Sequence, residues 1–236
     1  MDLVRPWASV TKVAVAYGAA LELAAGRALL VSPAGPHGST LAHLLAHASG
    51  LGLEDGDPTM PAGARRIYSN CGIDLAADIL AGGVGARQWI DEQVCNSLGL
   101  AHTSLQGRAS SGAYGPVRDL ATLGAALATN VAIAPVRDQI LTPFLPELAG
   151  VVPGFGRFEP CWWGLGIELH GHKRHWMGSI ASERAAGHFG QSGALLMLDP
   201  TRSLVVVAAA GEPFGPWARE LWPRWMDEVV AWSEAT

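Results

Sequence analysis

Ala194-Leu-Leu-Met-Leu198, then Asp199-Pro-Thr-Arg202, then Leu204-Val-Val-Val-Ala-Ala-Ala210: this stretch reads as two short apolar strands joined by a hairpin turn. Upstream of it, Trp163-Gly-Leu-Gly-Ile-Glu-Leu169 alternates like a further strand. Downstream, residues 217–232 form a terminal helix with Trp222, Trp225, Val229 and Trp232 at helical spacing. That stripe is read as core packed on the sheet. Strands joined by hairpins make an antiparallel sheet, and a helix laid on it makes the fold α+β.

Further back the periodicity is helical. Residues 9–26 are apolar nearly all round, through Val10, Val13, Ala14, Ala16, Ala20, Leu21 and Leu23, so this helix is expected to be buried. Ser9 stands at its N-cap or first turn and Gly26 at its C′ position. Further helices are expected at residues 41–48, capped by Thr40, and at 73–80, 86–98 and 116–127. Residues 51–64, rich in Gly, Pro and Asp, read as a loop. The chain thus divides into a mainly helical region, 1–155, and a region of antiparallel sheet and C-terminal helix, 156–236.

Composition narrows the functions. At 236 residues and 49% hydrophobic, the chain buries a sizeable core and is not disordered. Its charge is 16 − 21 = −5 with no basic run, which argues against a nucleic-acid groove or an anionic-membrane patch. The longest apolar stretch, residues 13–25, is interrupted by Tyr17, Gly18 and Glu22 and falls short of the ~20 residues a membrane span needs. No basic segment followed by an apolar one opens the chain, so no signal peptide is read and a cytoplasmic location is expected. Cys71, Cys95 and Cys161 are odd in number and widely spaced, which fits neither a disulfide framework nor a zinc knuckle. No cofactor is implied.

Three groups of residues carry candidate chemistry. In Ser9-Val-Thr-Lys12 the lysine lies one helical turn from the serine. A neutral lysine is a base that activates a hydroxyl, and burial and the positive end of a helix both favour the neutral amine. The same helix start offers N–H groups to an oxyanion. Alone, the motif also fits a capping serine with a lysine reaching solvent. What favours the base is that this lysine sits in an otherwise apolar helix. In Tyr68-Ser-Asn70, tyrosine can relay a proton and asparagine can hold a lysine by its amide oxygen; alone, the triplet also reads as a packed tyrosine before a helix cap. In Gly187-His-Phe-Gly-Gln-Ser-Gly193, glycines let a substrate lie along a strand edge and His188 can bind or protonate it; alone, it also reads as a glycine-rich turn with a surface histidine.

Together and in this order, the three resemble the penicillin-recognising serine hydrolases: the class C β-lactamase, D-alanyl-D-alanine carboxypeptidase and esterase family. Residues 41–51, 96–103 and 163–166 resemble its connecting signatures, and the likeness runs from about Arg5 to Pro213. It implies the β-lactamase/transpeptidase-like fold, an antiparallel sheet flanked by helices plus a helical region. It implies Ser9 as acylated nucleophile, Lys12 as its base or base partner, Tyr68 as proton shuttle to the leaving group, and Asn70 orienting Lys12 and substrate. His188 stands where other members have lysine, and Gly190 belongs to the substrate-binding third motif. The N–H groups of Ser9 and Gln191 would form the oxyanion hole. Phe189 and His188 replace groups that hold a β-lactam carboxylate, so small-molecule esters, amides or peptide-like substrates are favoured. The family carries a helix and two strands before the nucleophile, so a misplaced start or a truncated chain with an exposed sheet edge is expected.

Rival readings remain. One is a catalytically weak or inactive protein of this fold that binds peptide or cell-wall-like ligands. Another is a metalloprotein using His170, His172 and His175, although no carboxylate or Cys is seen to complete that set. Gly190-Gln-Ser-Gly193 is followed by Ala194, so it fails as a G-x-S-x-G elbow. His43 and His47 lack the Glu of H-E-x-x-H and are read as packing residues.

Overall fold

A two-residue strand, β1 (Arg5–Pro6), runs into a 3-10 turn (Ala8–Val10) and helix α1 (Thr11–Ala24) in the computed structural model, which describes residues 3–57 and 59–235. Every residue of α1 from Thr11 to Ala20 is buried. A helix apolar all round must lie inside a ring of other elements. At Gly18 the approach is close: a Cβ there would stand 2.7 Å from the Trp89 ring.

The helices that follow are short: α2 (Leu41–Leu45), α3 (Asn70–Ala81) and α4 (Ala86–Ile90), the last continued by a π-turn at Asp91–Asn96; α3, α4 and this turn pack on α1, and α2 packs on α3. Helix α2 stops earlier than its apolar run, because His47 takes a positive φ of 58° and turns the chain. The expected helix at 86–98 is likewise divided between α4 and the π-turn. The first two-thirds is also less uniformly helical than its sequence reads. Strands β2 (Ser104–Leu105) and β3 (Ala113–Gly115) join β1 in a small antiparallel sheet, ordered β1-β3-β2. Strands of two or three residues are too short to show alternation. Helices α5 (Val117–Thr129) and α6 (Arg137–Ile140) then pack on α1, and β4 (Gly150–Val152) pairs with β5 (Gly156–Phe158) as a hairpin.

The main sheet is antiparallel, in the order β6 (Glu168–Leu169), β7 (Ala186–Phe189), β8 (Ala194–Asp199) and β9 (Leu204–Ala209), and α7 (Pro216–Glu234) covers one face. The β8–β9 hairpin forms as its sequence indicates, with Ala194 opposite Ala209 and Asp199 opposite Leu204. The Asp199 carboxylate accepts from Thr201 N–H at 3.1 Å and from Arg202 at 2.9 Å, which pins the turn. Alternation then separates two cores. Leu196 and Leu198 face the helices of the first half, whereas Leu195, Met197 and Phe189 face α7. The buried stripe of α7 is Ala218, Trp222, Met226 and Val230; Trp225 and Val229 flank it, and Trp232 lies outside the core, 67% exposed.

The expected strand at 163–169 is mostly not strand. Gly166, at φ 76°, turns the chain so that Trp163 bridges back to Glu168, and a Cβ at Gly166 would meet Ala16 at 2.9 Å. The close approach of α1 therefore displaces the alternating segment. Among the described residues no helix is long and apolar enough to cross a membrane.

Candidate active site

Ser9 lies in the 3-10 turn, wedged against the end of β7. A Cβ at Gly190 would come within 2.4 Å of the Trp7 carbonyl and 3.2 Å of the Ser9 nitrogen. Gly190 thus makes room for the turn that carries Ser9, and Gln191 is its neighbour that borders the cavity. Lys12, in the first turn of α1, is completely buried. Its amine is 3.3 Å from Ser9 Oγ, 2.8 Å from Asn70 Oδ1 and 2.8 Å from the Ser110 carbonyl. Burial pulls Lys12 from 10.5 down to about 7; Asp74 and Glu54 oppose this and Arg108 adds to it.

Tyr68 and Asn70 flank the cap of α3. Ser69 Oγ accepts from Gly72 N–H at 2.9 Å and donates to the Gly52 carbonyl at 2.6 Å. That cap fixes the entry of the helix and with it the two side chains beside Lys12. The Tyr68 ring centroid lies 4.7 Å from the Lys12 amine, and Tyr68 borders the same cavity as Ser9. Burial pushes the Tyr68 phenol well above its usual range, so it is neutral. His47 supports the triplet from behind: its Nδ1 accepts from Ser69 N–H at 3.1 Å, and its ring lies 4.7 Å from Tyr68 and 4.6 Å from Trp163.

His188 is not in a surface turn. It is buried on β7, and the glycine-rich turn begins two residues later. Its Nδ1 lies 2.7 Å from the Phe189 carbonyl, which only accepts, so Nδ1 carries the hydrogen. Nε2 is left as an acceptor 3.5 Å from the Tyr68 hydroxyl. Burial, with Lys12 adding to it, drives His188 down to about 3. At pH 7 it is a neutral acceptor. The Phe189 ring packs against Phe214 at 4.8 Å and Trp222 at 5.6 Å, and the residue also borders the cavity shared with His188.

These side chains converge on a cavity of about 190 Å³. Ser9, Tyr68, Asn70, His188 and Gln191 line it, with Lys12 enclosed behind them. The remaining wall is apolar, from Leu53, Val152, Pro153, Trp163 and Phe189, except for Glu168. No arginine or lysine is in the lining among the described residues.

Glu168 is a polar lining residue that the sequence motifs do not include. One of its oxygens meets Lys173 and His175, each at 2.9 Å, and the other accepts from Trp176 at 2.8 Å. Burial opposes its ionisation, but Lys173 and His175 outweigh burial and hold the carboxyl well below its usual range. Lys173 occupies the cationic place beside Glu168, while His172 lies outside on the surface with Glu183. Among the described residues no group of three His, Cys, Asp or Glu could hold a metal. Ser192, the serine of the incomplete elbow, has a buried hydroxyl with no hydrogen-bond partner among the described residues.

A beta-lactamase family profile matches residues 2–231. Among solved structures, a beta-lactamase from Mycobacterium bovis is 39% identical over 98% of this chain and 88% of its own, with a TM-score of 0.94. A variant of simvastatin synthase from Aspergillus terreus is 16% identical, covers 100% and 82% of the two chains, and has a TM-score of 0.76. A class C beta-lactamase variant is also 16% identical, over 96% and 83%, with a TM-score of 0.74. The last two share the fold. No curated protein matches the sequence.

Proposed function

The chain belongs to the beta-lactamase family, and from that premise we propose that it is a serine hydrolase that cleaves esters or amides through an acyl-enzyme on Ser9. The observation that carries this reading is the set of neighbours around the Lys12 amine. Two of the three, the Asn70 amide oxygen and the Ser110 carbonyl, can only accept. A neutral amine has two hydrogens, which those two oxygens take. Its lone pair is then left for the Ser9 hydroxyl. Near neutral pH about half of such a lysine is unprotonated. Ser9 Oγ attacks the substrate carbonyl as its proton passes to Lys12. Neutral Tyr68 gives a proton to the leaving group and is restored by the proton that Lys12 took from Ser9. The N–H groups of Ser9 and Gln191 receive the oxyanion. Water then opens the acyl-enzyme by the same route.

The cavity wall supports neutral substrates over those bearing a carboxylate. His188 is uncharged at pH 7, Phe189 has no hydroxyl, and among the described residues the lining holds one acid and no arginine or lysine. A charge-assisted hydrogen bond to a carboxylate is worth about 1.5–3 kcal/mol. Lacking one or two lowers recognition roughly 10- to 10⁴-fold. Short-chain neutral esters do not depend on that grip. The test is kcat/KM for p-nitrophenyl butyrate against a chromogenic cephalosporin, with Ser9→Ala as control. The ester should be turned over better, and Ser9→Ala should lose both activities. A higher value for the cephalosporin overturns the ester preference, and undiminished turnover by Ser9→Ala overturns the mechanism.

A further inference from the structure

Behind Asn70 the hydrogen bonds close into a ring. Lys12 donates to Asn70 Oδ1 at 2.8 Å, and Asn70 Nδ2 donates to Glu54 Oε1 at 2.6 Å. Arg108 bridges Glu54 Oε2 to Asp74 Oδ2, the latter at 2.6 Å. Asp74 Oδ1 accepts from Ser110 N–H at 2.7 Å, and the Ser110 carbonyl returns to Lys12 at 2.8 Å. The ring unites α1, one face of α3, the loop that holds Glu54 and the loop between β2 and β3. Glu54 and Arg108 do not line the cavity in contact with Ser9, and the resemblance assigned neither of them a role.

The ring has a consequence for the base. An asparagine amide can present either its oxygen or its NH₂ to a neighbour. A carboxylate only accepts, so Glu54 obliges Asn70 to turn its NH₂ outward and its oxygen toward Lys12. With the amide reversed, the NH₂ would donate to the amine's lone pair and compete with Ser9. We propose that Glu54 and Arg108 are positioning residues for the base: through this ring they hold the Asn70 oxygen and the Ser110 carbonyl on the two N–H groups of Lys12 and leave its lone pair to Ser9. The role in turnover rests on the hydrolase reading above; the geometry around Lys12 does not. The groups facing Lys12 carry opposite signs. Asp74 and Glu54 favour its ammonium and Arg108 disfavours it, while Tyr68, His47 and His188 surround it in neutral form.

Two readouts test this. The first is the titration of Lys12 followed by NMR in protein labelled at the lysine side-chain carbon next to the amine, where the chain's two lysines give two signals. Glu54→Gln should move the Lys12 midpoint to lower pH and Arg108→Leu to higher pH, each by roughly half a pH unit or more. General structural damage would not move the two in opposite directions. The second is steady-state hydrolysis of a neutral p-nitrophenyl ester. Glu54→Leu should lower kcat about 10- to 100-fold with KM little changed, the size of one charge-assisted hydrogen bond. Glu54→Gln, whose amide oxygen still accepts from Asn70, should recover most of that loss. Midpoints that stay put or shift together, or a Glu54→Leu enzyme with unchanged kcat, overturn the proposal. Opposite midpoint shifts in a wild-type protein that turns over no ester and takes no label on Ser9 support the ring and overturn the hydrolase reading instead.

Discussion

The chain contains two lysines, Lys12 and Lys173, and both are buried, at 0% and 2% exposure. What differs is what they touch. Lys173 meets a carboxylate, Glu168, at 2.9 Å, and the Trp162 carbonyl at 2.8 Å. Lys12 meets an amide oxygen, a backbone carbonyl and a hydroxyl, with its nearest carboxylates one residue further out. Burial disfavours any ammonium. A carboxylate in contact makes a buried ion pair, and Lys173 with Glu168 is a prop beneath the cavity wall. Neutral oxygens in contact leave the amine free to lose its proton, and Lys12 is pulled down to about 7. The same residue type at the same depth is an ion-pair partner in one place and the proposed base in the other.

The largest effect that would sharpen this contrast is on rate. Lys12→Ala should lower kcat/KM for a neutral ester by about 10²- to 10⁴-fold, the usual worth of a positioned general base, as measured by steady-state kinetics. Retention of full turnover would remove Lys12 from the chemistry. The next effect is on stability. Lys173→Met leaves Glu168 buried without its cation and should destabilise the fold by about 3–5 kcal/mol in urea melts. Adding Glu168→Leu should restore much of that loss, because an apolar pair of similar volume replaces the ion pair.

Lys12→Met should act in the opposite direction. The folded protein binds the Lys12 proton less well than the unfolded chain, with about 7 against 10.5. Between those values the unfolded chain holds more protons, so wild-type stability rises with pH from about 7 to 10.5. At and below pH 7 the penalty is present, about 4 kcal/mol at neutrality. Loss of the hydrogen bonds to Asn70 and Ser110 offsets part of it. Lys12→Met should therefore be more stable than wild type by about 2 kcal/mol at pH 7, and the gap should shrink as pH rises toward 10.5. Melts of the two proteins at pH 6, 8 and 10 read this, and a destabilised Lys12→Met at every pH would break the contrast. The smallest effect is on the pH profile. The acid limb of kcat/KM should fall near pH 7, where Lys12 takes up its proton, and not near 3, where His188 does.

Most of this site was legible because its members sit in short local patterns. Ser9 and Lys12 are one helical turn apart, Tyr68 and Asn70 flank a capping serine, and His188 precedes a glycine. The β8–β9 hairpin was legible for the same reason, as its apolar runs and turn are contiguous. Glu168 was not, since a single acid in an alternating segment reads as an outward-facing strand residue. Its burial depends on Gly166 turning that segment under α1 and on Lys173 and His175 beyond it. Glu54 and Arg108 were hidden for another reason: each finds its partner only when loops 54 residues apart meet. The small sheet of β1, β2 and β3 joins segments of two or three residues across more than a hundred positions, and no periodicity can mark strands that short.

The central claim is that a neutral Lys12 makes Ser9 nucleophilic. Its most direct test is the rate at which a fluorophosphonate probe labels the protein as a function of pH, with the modified residue located by mass spectrometry. The tag should fall on Ser9, and the labelling rate should climb about tenfold per pH unit below pH 7 and level off above it, tracking the free amine. A tag on Ser192, or labelling that rises only toward pH 10 as for an ordinary lysine, would contradict the account.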